Sequence, residues 1–267
     1  MRRAAKQSNI DPDRMQEIIS ALEDILDGTN MNARPPEILN HLYAWLKEQT
    51  GDSNPYAEIK RSSTEQALRL YPRLKEIVRT AGDPVLTAVR IAIAGNIIDF
   101  GSADSYDLSR ALQDTLHKDF ARFDMPAFRE RLARAGHVLY IGDNAGETVF
   151  DRVLIEQLQK PVTYAVRDHP VINDATYEDA LQAGLHKVAT IASTGCAAPG
   201  AVLSQCSSEF LRSYQEADMV ISKGQGNYEA LIGEEREIFF LLRTKCKVVS
   251  DLIGVRVGDI ILELNRA

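Results

Sequence analysis

No CxxC pair, no long apolar run and no basic excess occur in this 267-residue chain, and each absence narrows what it does. The three cysteines, Cys196, Cys206 and Cys246, are scattered and odd in number. That excludes a disulfide framework or a zinc knuckle and makes a reducing cytoplasm the expected compartment. Nothing approaches the ~20 apolar residues that span a bilayer, so no membrane partner is expected. The segment from Met1 to Met15 is partly basic but has no apolar core, unlike a secretory signal. Acidic side chains outnumber basic ones, 38 to 31, for a net charge of -7. That sign does not suit a general nucleic-acid binder, whose footprint is basic. Neither GxxxxGK[ST] nor GxGxxG after a strand is found, which removes the usual ATP and NAD loops. No GxSxG elbow is found either, so the serine of the α/β-hydrolases is absent.

What remains is an ordinary globular composition, 45% hydrophobic and 26% charged. The two halves are patterned differently. Residues 1–135 read as helices. Met15, Ile18, Ile19, Leu22, Ile25 and Leu26 fall at helical spacing, and a second helix starts near Pro35-Pro36. A third runs from Ala67 to Val78, with Pro72 expected to kink or divide it. Pro84–Ile98 is apolar nearly all round and reads as a buried helix. Amphipathic pattern continues around Leu108, Leu112 and Leu116 and over Phe128–Ala135.

Residues 136–267 alternate strand and helix. Strands are expected at His137–Ile141, Val162–Val166, Lys187–Ala192, Met219–Ser222 and Cys246–Ser250. Helices are expected at Glu147–Gln159, Asp174–Ala183, Ala201–Gln215 and Arg236–Arg243, with Val255–Leu264 a last strand or hairpin arm. The predicted architecture is α/β: a mostly parallel, Rossmann-like three-layer sheet flanked by helices, with an N-terminal all-helical portion packed over the site.

In an open parallel sheet the carboxyl ends of the strands share one edge, where ligands bind. Polar clusters recur there: Asp143-Asn144, then Arg167-Asp168-His169, then Asn173-Asp174, then Ser193-Thr194-Gly195, then Lys223-Gly224-Gln225-Gly226-Asn227. Carboxylates, amides and hydroxyls suit a hard divalent ion, and a lysine suits a phosphate beside it. Several members also have a plain reading. Ser193 and Thr194 fit a turn, Asn173 and Asp174 fit a helix cap, and Asp168 and His169 fit a surface loop. Asn96 and Asp99 are polar residues in an apolar helix, so they either bond to nearby helix ends or face the site.

Four spaced motifs, GDNAGE with Asp151 downstream, INDATYEDA, SKGQGNYEAL and AGNIIDFG, resemble the DUF89 family of metal-dependent damage-control phosphatases, in its prokaryotic and archaeal branch. The resemblance covers nearly the whole chain. It implies an α/β domain joined to a helical portion and hydrolysis of small phosphometabolites such as sugar phosphates or damaged cofactor precursors. The implied cofactor is a divalent ion: Mn²⁺, Co²⁺, Ni²⁺ or Mg²⁺. The metal ligands it implies are Asp143, Asn144 and Asp174, and Lys223 is the implied phosphate contact. Glu147, Asn96, Asp99, Asn227, Arg167, Ser193 and Thr194 complete the expected substrate pocket. The branch usually opens with a CxxC before a basic helix, and by the resemblance Met1-Arg2-Arg3-Ala4-Ala5 is expected to align just after it. The expectation is a missing short segment or a cysteine-free variant.

Two rival readings follow from the same core. One is a carboxyl methyltransferase using S-adenosylmethionine, against which stands the lack of a glycine-rich loop after the first strand. The other is a non-catalytic module that binds a metal or a sugar phosphate. No residue of the helical portion declares a particular substrate, and nothing in the sequence points to an oligomeric state.

Overall fold

The computed structural model describes residues 11–28, 34–97 and 112–265. Helix α1 (Pro12–Asp27) starts at Asp11, whose carboxylate accepts from the Asp13 amide at 2.9 Å. Two prolines open α2 (Pro35–Thr50), where their missing N–H groups cost nothing. Helix α3 (Ala57–Thr80) runs through Pro72 without dividing. Ala67, Leu74 and Val78, buried on either side of the proline, anchor both halves to one core, so packing outweighs the lost hydrogen bond. Asp83 caps α4 (Pro84–Ala94), which is buried at Ala88, Val89 and Ile91 to Ala94, as its apolar pattern predicts. Residues 112–117 are helical. Asp99 and Leu108 lie outside the described residues.

Among the described residues the sheet has seven strands: β1 (Phe120–Phe123), β2 (Val138–Ile141), β3 (Val162–Val166), β4 (Thr190–Ser193), β5 (Met219–Lys223), β6 (Ile238–Arg243) and β7 (Ile260–Asn265). Their order is β1-β7-β6-β5-β2-β3-β4. Every pairing is parallel except β6 with β7. Successive side chains face opposite layers. Tyr140, Tyr164, Ile221, Phe239 and Leu262 pack under α3, α4, α5 (Met125–Arg134) and α6 (Thr148–Leu158). Leu139, Ala165, Val220, Phe240 and Ile261 pack against α8 (Ser208–Glu216), α9 (Gly224–Leu231) and α10 (Lys247–Ile253). A third, smaller core joins α1 and α2 to Val171, in the loop that runs from β3 to α7 (Tyr177–Gln182).

Three elements differ from their sequence reading. Strand β1 lies inside the half read as purely helical. It has four residues, three of them exposed, and so carries almost no hydrophobic signal. Ile238–Arg243 is a strand where a helix was expected, and Lys247–Ile253 is a helix where a strand was expected. A continuous apolar run such as IFFLL does not distinguish a strand buried on both faces from a buried helix. In α10 the two valines suggest strand, but Val248 and Leu252 point to solvent while Val249 and Ile253 are buried, a helical spacing. The glycine run after β5 is likewise not a plain turn; it is the first turn of α9.

The chain lays β3 and β4 to one side of β2, then crosses to place β5 and β6 on the other. The crevice between the carboxyl ends of β2 and β5 is therefore the topological switch point of the sheet, the usual ligand position in such folds.

Phe128 of α5 meets Phe239 of β6 edge to face, with centroids 5.2 Å apart. Phe128→Ala is expected to cost about 3–5 kcal/mol, read as a lowered denaturation midpoint. An unchanged midpoint would show that α5 does not share the sheet's core.

Candidate active site at the switch point of the sheet

Two loops meet above β2. The Ala145 amide donates to the Asn173 carbonyl at 2.9 Å and the Ala175 amide to the Asp143 carbonyl at 2.7 Å. Asn144 and Asp174 thus face each other in a short antiparallel bridge. This joins the GDNAGE and INDAT segments, which are about thirty residues apart, into one cluster. Ile172, one residue ahead of Asn173, has φ +43°. A β-branched residue is strained there. Its side chain and that of Val171 pack against the small core of α1 and α2. The helical portion thus holds the backbone turn that presents Asp174.

Gly224 closes the other side of the crevice. Its φ is +78°, and a Cβ there would sit 1.9 Å from Asp143 Oδ2. Only glycine lets α9 start directly against this carboxylate.

The cluster is acidic and dry. Asp143 is 9% exposed, Asp174 4% and Glu147 not at all. Burial, then the neighbouring charges of Asp174 and Glu147, push the Asp143 carboxyl well above its ordinary range. Burial also raises Asp174, although Arg167 opposes it. The Arg167 guanidinium donates from Nε to Asp174 Oδ2 at 2.8 Å and from Nη2 to Asn227 Oδ1 at 2.9 Å, and Nη2 lies 4.0 Å from Asp143. Burial disfavours this cation, but Asp174 and Asp143 outweigh it and raise its pKa.

Two amides are oriented by the same carboxylates. Asn144 Nδ2 donates to Asp143 Oδ2 at 2.9 Å and to Glu147 Oε2 at 3.2 Å. Asn96 Nδ2 lies 3.3 Å from both of these oxygens. An ionised carboxylate only accepts, so each amide must turn its NH₂ inward, and its carbonyl oxygen is left for other partners. Of the two readings open for Asn96, the structure gives the one that faces the site.

Lys223, the expected phosphate contact, is packed among buried carboxylates. It is fully buried, and its three N–H donors are spent on Ala92 O at 2.9 Å, Glu147 Oε1 at 2.5 Å and Asp151 Oδ1 at 2.7 Å. Burial disfavours the ammonium, but Asp151 and Glu147 outweigh it and raise its pKa. Asp151 accepts from Tyr140 and Tyr164 hydroxyls, each at 2.7 Å. Burial pushes Asp151 up to about 6 against the pull of Lys223.

Asn227 also has no hydrogen bond to spare. Its Oδ1 accepts from Arg167 and from the Ala201 amide at 2.9 Å, and its Nδ2 donates to Gly142 O at 2.9 Å and Lys223 O at 2.7 Å. One side chain thereby ties four segments of the crevice together. Thr194 is buried within its own turn, bonded to Cys196, and Ser193 bonds to Asp168 near the surface. Neither is hydrogen-bonded to Asp143, Glu147 or Asp174. A cavity of about 550 Å³ lined by Arg122, Ile232 and Glu263 lies at the β1–β7 edge, away from all of these residues.

The sequence reading missed Tyr140 and Tyr164 as functional groups. They occupy paired positions on β2 and β3, and a tyrosine inside a buried strand needs a hydroxyl partner, which was the available signal. It also missed Lys245, an exposed lysine just past the carboxyl end of β6, whose charge acts on Asp143. Reading β6 as a helix hid its place on the ligand edge.

The profile of the Damage-control phosphatase ARMT1-like domain matches residues 1–261. A damage-control phosphatase of Pyrococcus horikoshii is 34% identical over 264 residues, covering 95% of this chain and 89% of that protein. A damage-control phosphatase of Archaeoglobus fulgidus is 33% identical over 269 residues, covering 97% and 93%. The crystal structure of a DUF89 family protein from Pyrococcus horikoshii superposes with a TM-score of 0.92 at 33% identity, covering 99% of this chain and 94% of that one. Relatives of these names support a phosphatase role. On profile, sequence and fold together, the chain belongs to the ARMT1-like damage-control phosphatases of the DUF89 family.

Proposed function

We propose that this protein is a metal-dependent phosphomonoesterase acting on small phosphorylated metabolites at the crevice between β2 and β5. The observation that carries the reading is a charge imbalance. Among the described residues five carboxylates, Asp143, Glu147, Asp151, Asp174 and Asp179, are buried together with three buried cations, Lys223, Arg167 and Lys60. The formal deficit is two positive charges, which one divalent ion closes. Buried like charges at this density are costly unless something neutralises them.

The residues fit such an ion. Among the described residues, no three His, Cys, Asp or Glu side chains converge at metal-binding spacing. The oxygen donors would therefore be two carboxylates, Asp143 and Asp174, and the Asn144 carbonyl, a hard set suited to Mg²⁺, Mn²⁺, Co²⁺ or Ni²⁺. Three protein ligands leave positions for water and a phosphoryl oxygen. When bound, the ion would withdraw charge from the phosphoryl group and acidify a water.

The chain's own residues supply the remainder. Glu147 fixes the amide of Asn144, and Lys223 fixes Glu147. Arg167 holds Asp174 in place. Lys245, exposed and electrostatically linked to Asp143, is the cation best placed to meet an incoming phosphate. Lys223 is then a positioning residue whose charge holds the carboxylates below.

Asp143→Ala should bring Mn²⁺- or Co²⁺-stimulated phosphate release from a chromogenic ester to background. Its thermal transition should not fall, because a repelling buried charge is removed. Stimulated turnover retained in that variant would sink the assignment. The two lysines should behave differently. Lys223→Met strands two buried carboxylates and is expected to cost about 3–5 kcal/mol of stability along with activity. Lys245→Ala should leave the melting temperature within about a degree, since surface substitutions usually shift stability by less than ~0.5 kcal/mol, while raising KM for the phosphate ester. Melting curves and steady-state kinetics on both variants check this, and equal destabilisation would overturn the distinction.

A further inference from the structure

Residues 194–207, between β4 and α8, form a closed loop that the phosphatase chemistry does not use. Its neck is fastened by the Ser207 amide, which donates to the Thr194 carbonyl at 3.0 Å. The two sides run so close that a Cβ on Gly195 would lie 2.5 Å from Ser207 Cβ. Cys196 and Cys206 sit just inside this neck on opposite sides, and both are free thiols. Their side chains act on each other across the neck, and the Cys196 thiol also donates to Gly200 O at 3.9 Å and to Gln205 Oε1, beside Cys206, at 3.8 Å.

We propose that Cys196 and Cys206 are a redox-active pair that a hydroperoxide converts to a reversible intrachain disulfide across the loop neck.

The surroundings of Cys196 are those of a nucleophilic sulfur. The Cys206 thiol, opposed by burial and aided by the Ala198 and Val202 amides and by Arg167, brings the Cys196 thiol down to about 6. The Ala198 amide lies 3.4 Å from Cys196 Sγ. Cys206 is held well above the ordinary thiol range by the same contact and by burial, so it keeps its proton and acts as the resolving group. It is only partly buried and opens the pair to a water-sized oxidant. The Cys196 thiolate attacks one peroxide oxygen, the O–O bond breaks, and the departing hydroxide takes a proton and leaves as water. The resulting sulfenic acid is attacked by the Cys206 sulfur. The S–S bond forms, the S–O bond breaks, and the hydroxide leaves with the Cys206 proton as a second water. Two thiols are oxidised by two electrons and one hydrogen peroxide is reduced. The oxidation changes a sulfur whose charge acts on Arg167, and Arg167 in turn holds Asp174, Asn227 and, at 4.0 Å, Asp143.

The test is peptide mass spectrometry on the full chain treated with hydrogen peroxide, then alkylated and digested with trypsin. No Lys or Arg lies between 188 and 211, so both cysteines fall on one peptide ending at Arg212, while Cys246 falls on another. That peptide should lose about 2 Da, resist alkylation, and regain both alkylation sites after dithiothreitol. Cys206→Ser should abolish the loss and leave a dimedone-reactive sulfenic acid at Cys196. Sulfinic or sulfonic products on Cys196 without the 2 Da loss would overturn the pairing, as would a disulfide to Cys246 or between chains. The readout is a covalent mass, so it stands apart from whether the protein hydrolyses phosphate esters.

Discussion

The buried ammonium of Lys223 is the constraint on which the crevice depends. A lysine with no solvent contact survives only where carboxylates surround it, and Glu147 and Asp151 do so within 2.7 Å. Those carboxylates then need further partners. Tyr140 and Tyr164 take the free side of Asp151, and their rings stack 5.3 Å apart across β2 and β3. Asn96 and Asn144 take the free side of Glu147. The demand for neutralisation spreads outward from one side chain to Asp143 and Asp174, where Arg167 meets only part of it. The cluster stays acidic out to its rim, and the rim is where a cation can be taken up.

The same logic explains what could be read from the sequence. Asp143, Asn144 and Asp174 lie in short polar breaks between strongly patterned elements, so their place on the ligand edge followed from strand order alone. Lys223 was equally visible, but its direction was not. It is the last residue of β5, and side chains alternate across a strand, so the same polar residue faces either the crevice or the layer beneath it. Here it faces α4 and α6, and only three-dimensional packing decides that. Asn227 is similar: in a glycine-flanked stretch it suggests a ligand contact, yet four neighbouring segments saturate it.

The misread elements share a physical cause. Ile238–Arg243 is apolar throughout because β6 is covered on both faces, which erases the two-residue alternation that marks a strand. Strand β1 has the opposite problem, being so exposed that nothing marks it as part of a sheet. Both belong to the mixed edge where β7 runs antiparallel to β6, away from the regular alternation on which the reading of 136–267 relied. The cost was functional as well as architectural, since misplacing β6 removed Lys245 from the ligand edge.

The helical portion enters the site through the Asn96 amide and also through backbone strain. Ile172 occupies a backbone region that a β-branched residue avoids, at a cost of order 1–3 kcal/mol. The burial of Val171 against Leu42, Tyr43, Leu46 and Tyr56 offsets it. On the far side of the same crevice, Gly224 removes a steric barrier instead of storing strain. One loop is thus pressed into position from above while the opposite helix is allowed to approach from below. Asp174 and Asp143 are held by those two loops. Loosening the small α1–α2 core would therefore be felt at Asp174 before it was felt in the sheet, because β2, β3 and β5 draw their own stability from the two larger cores.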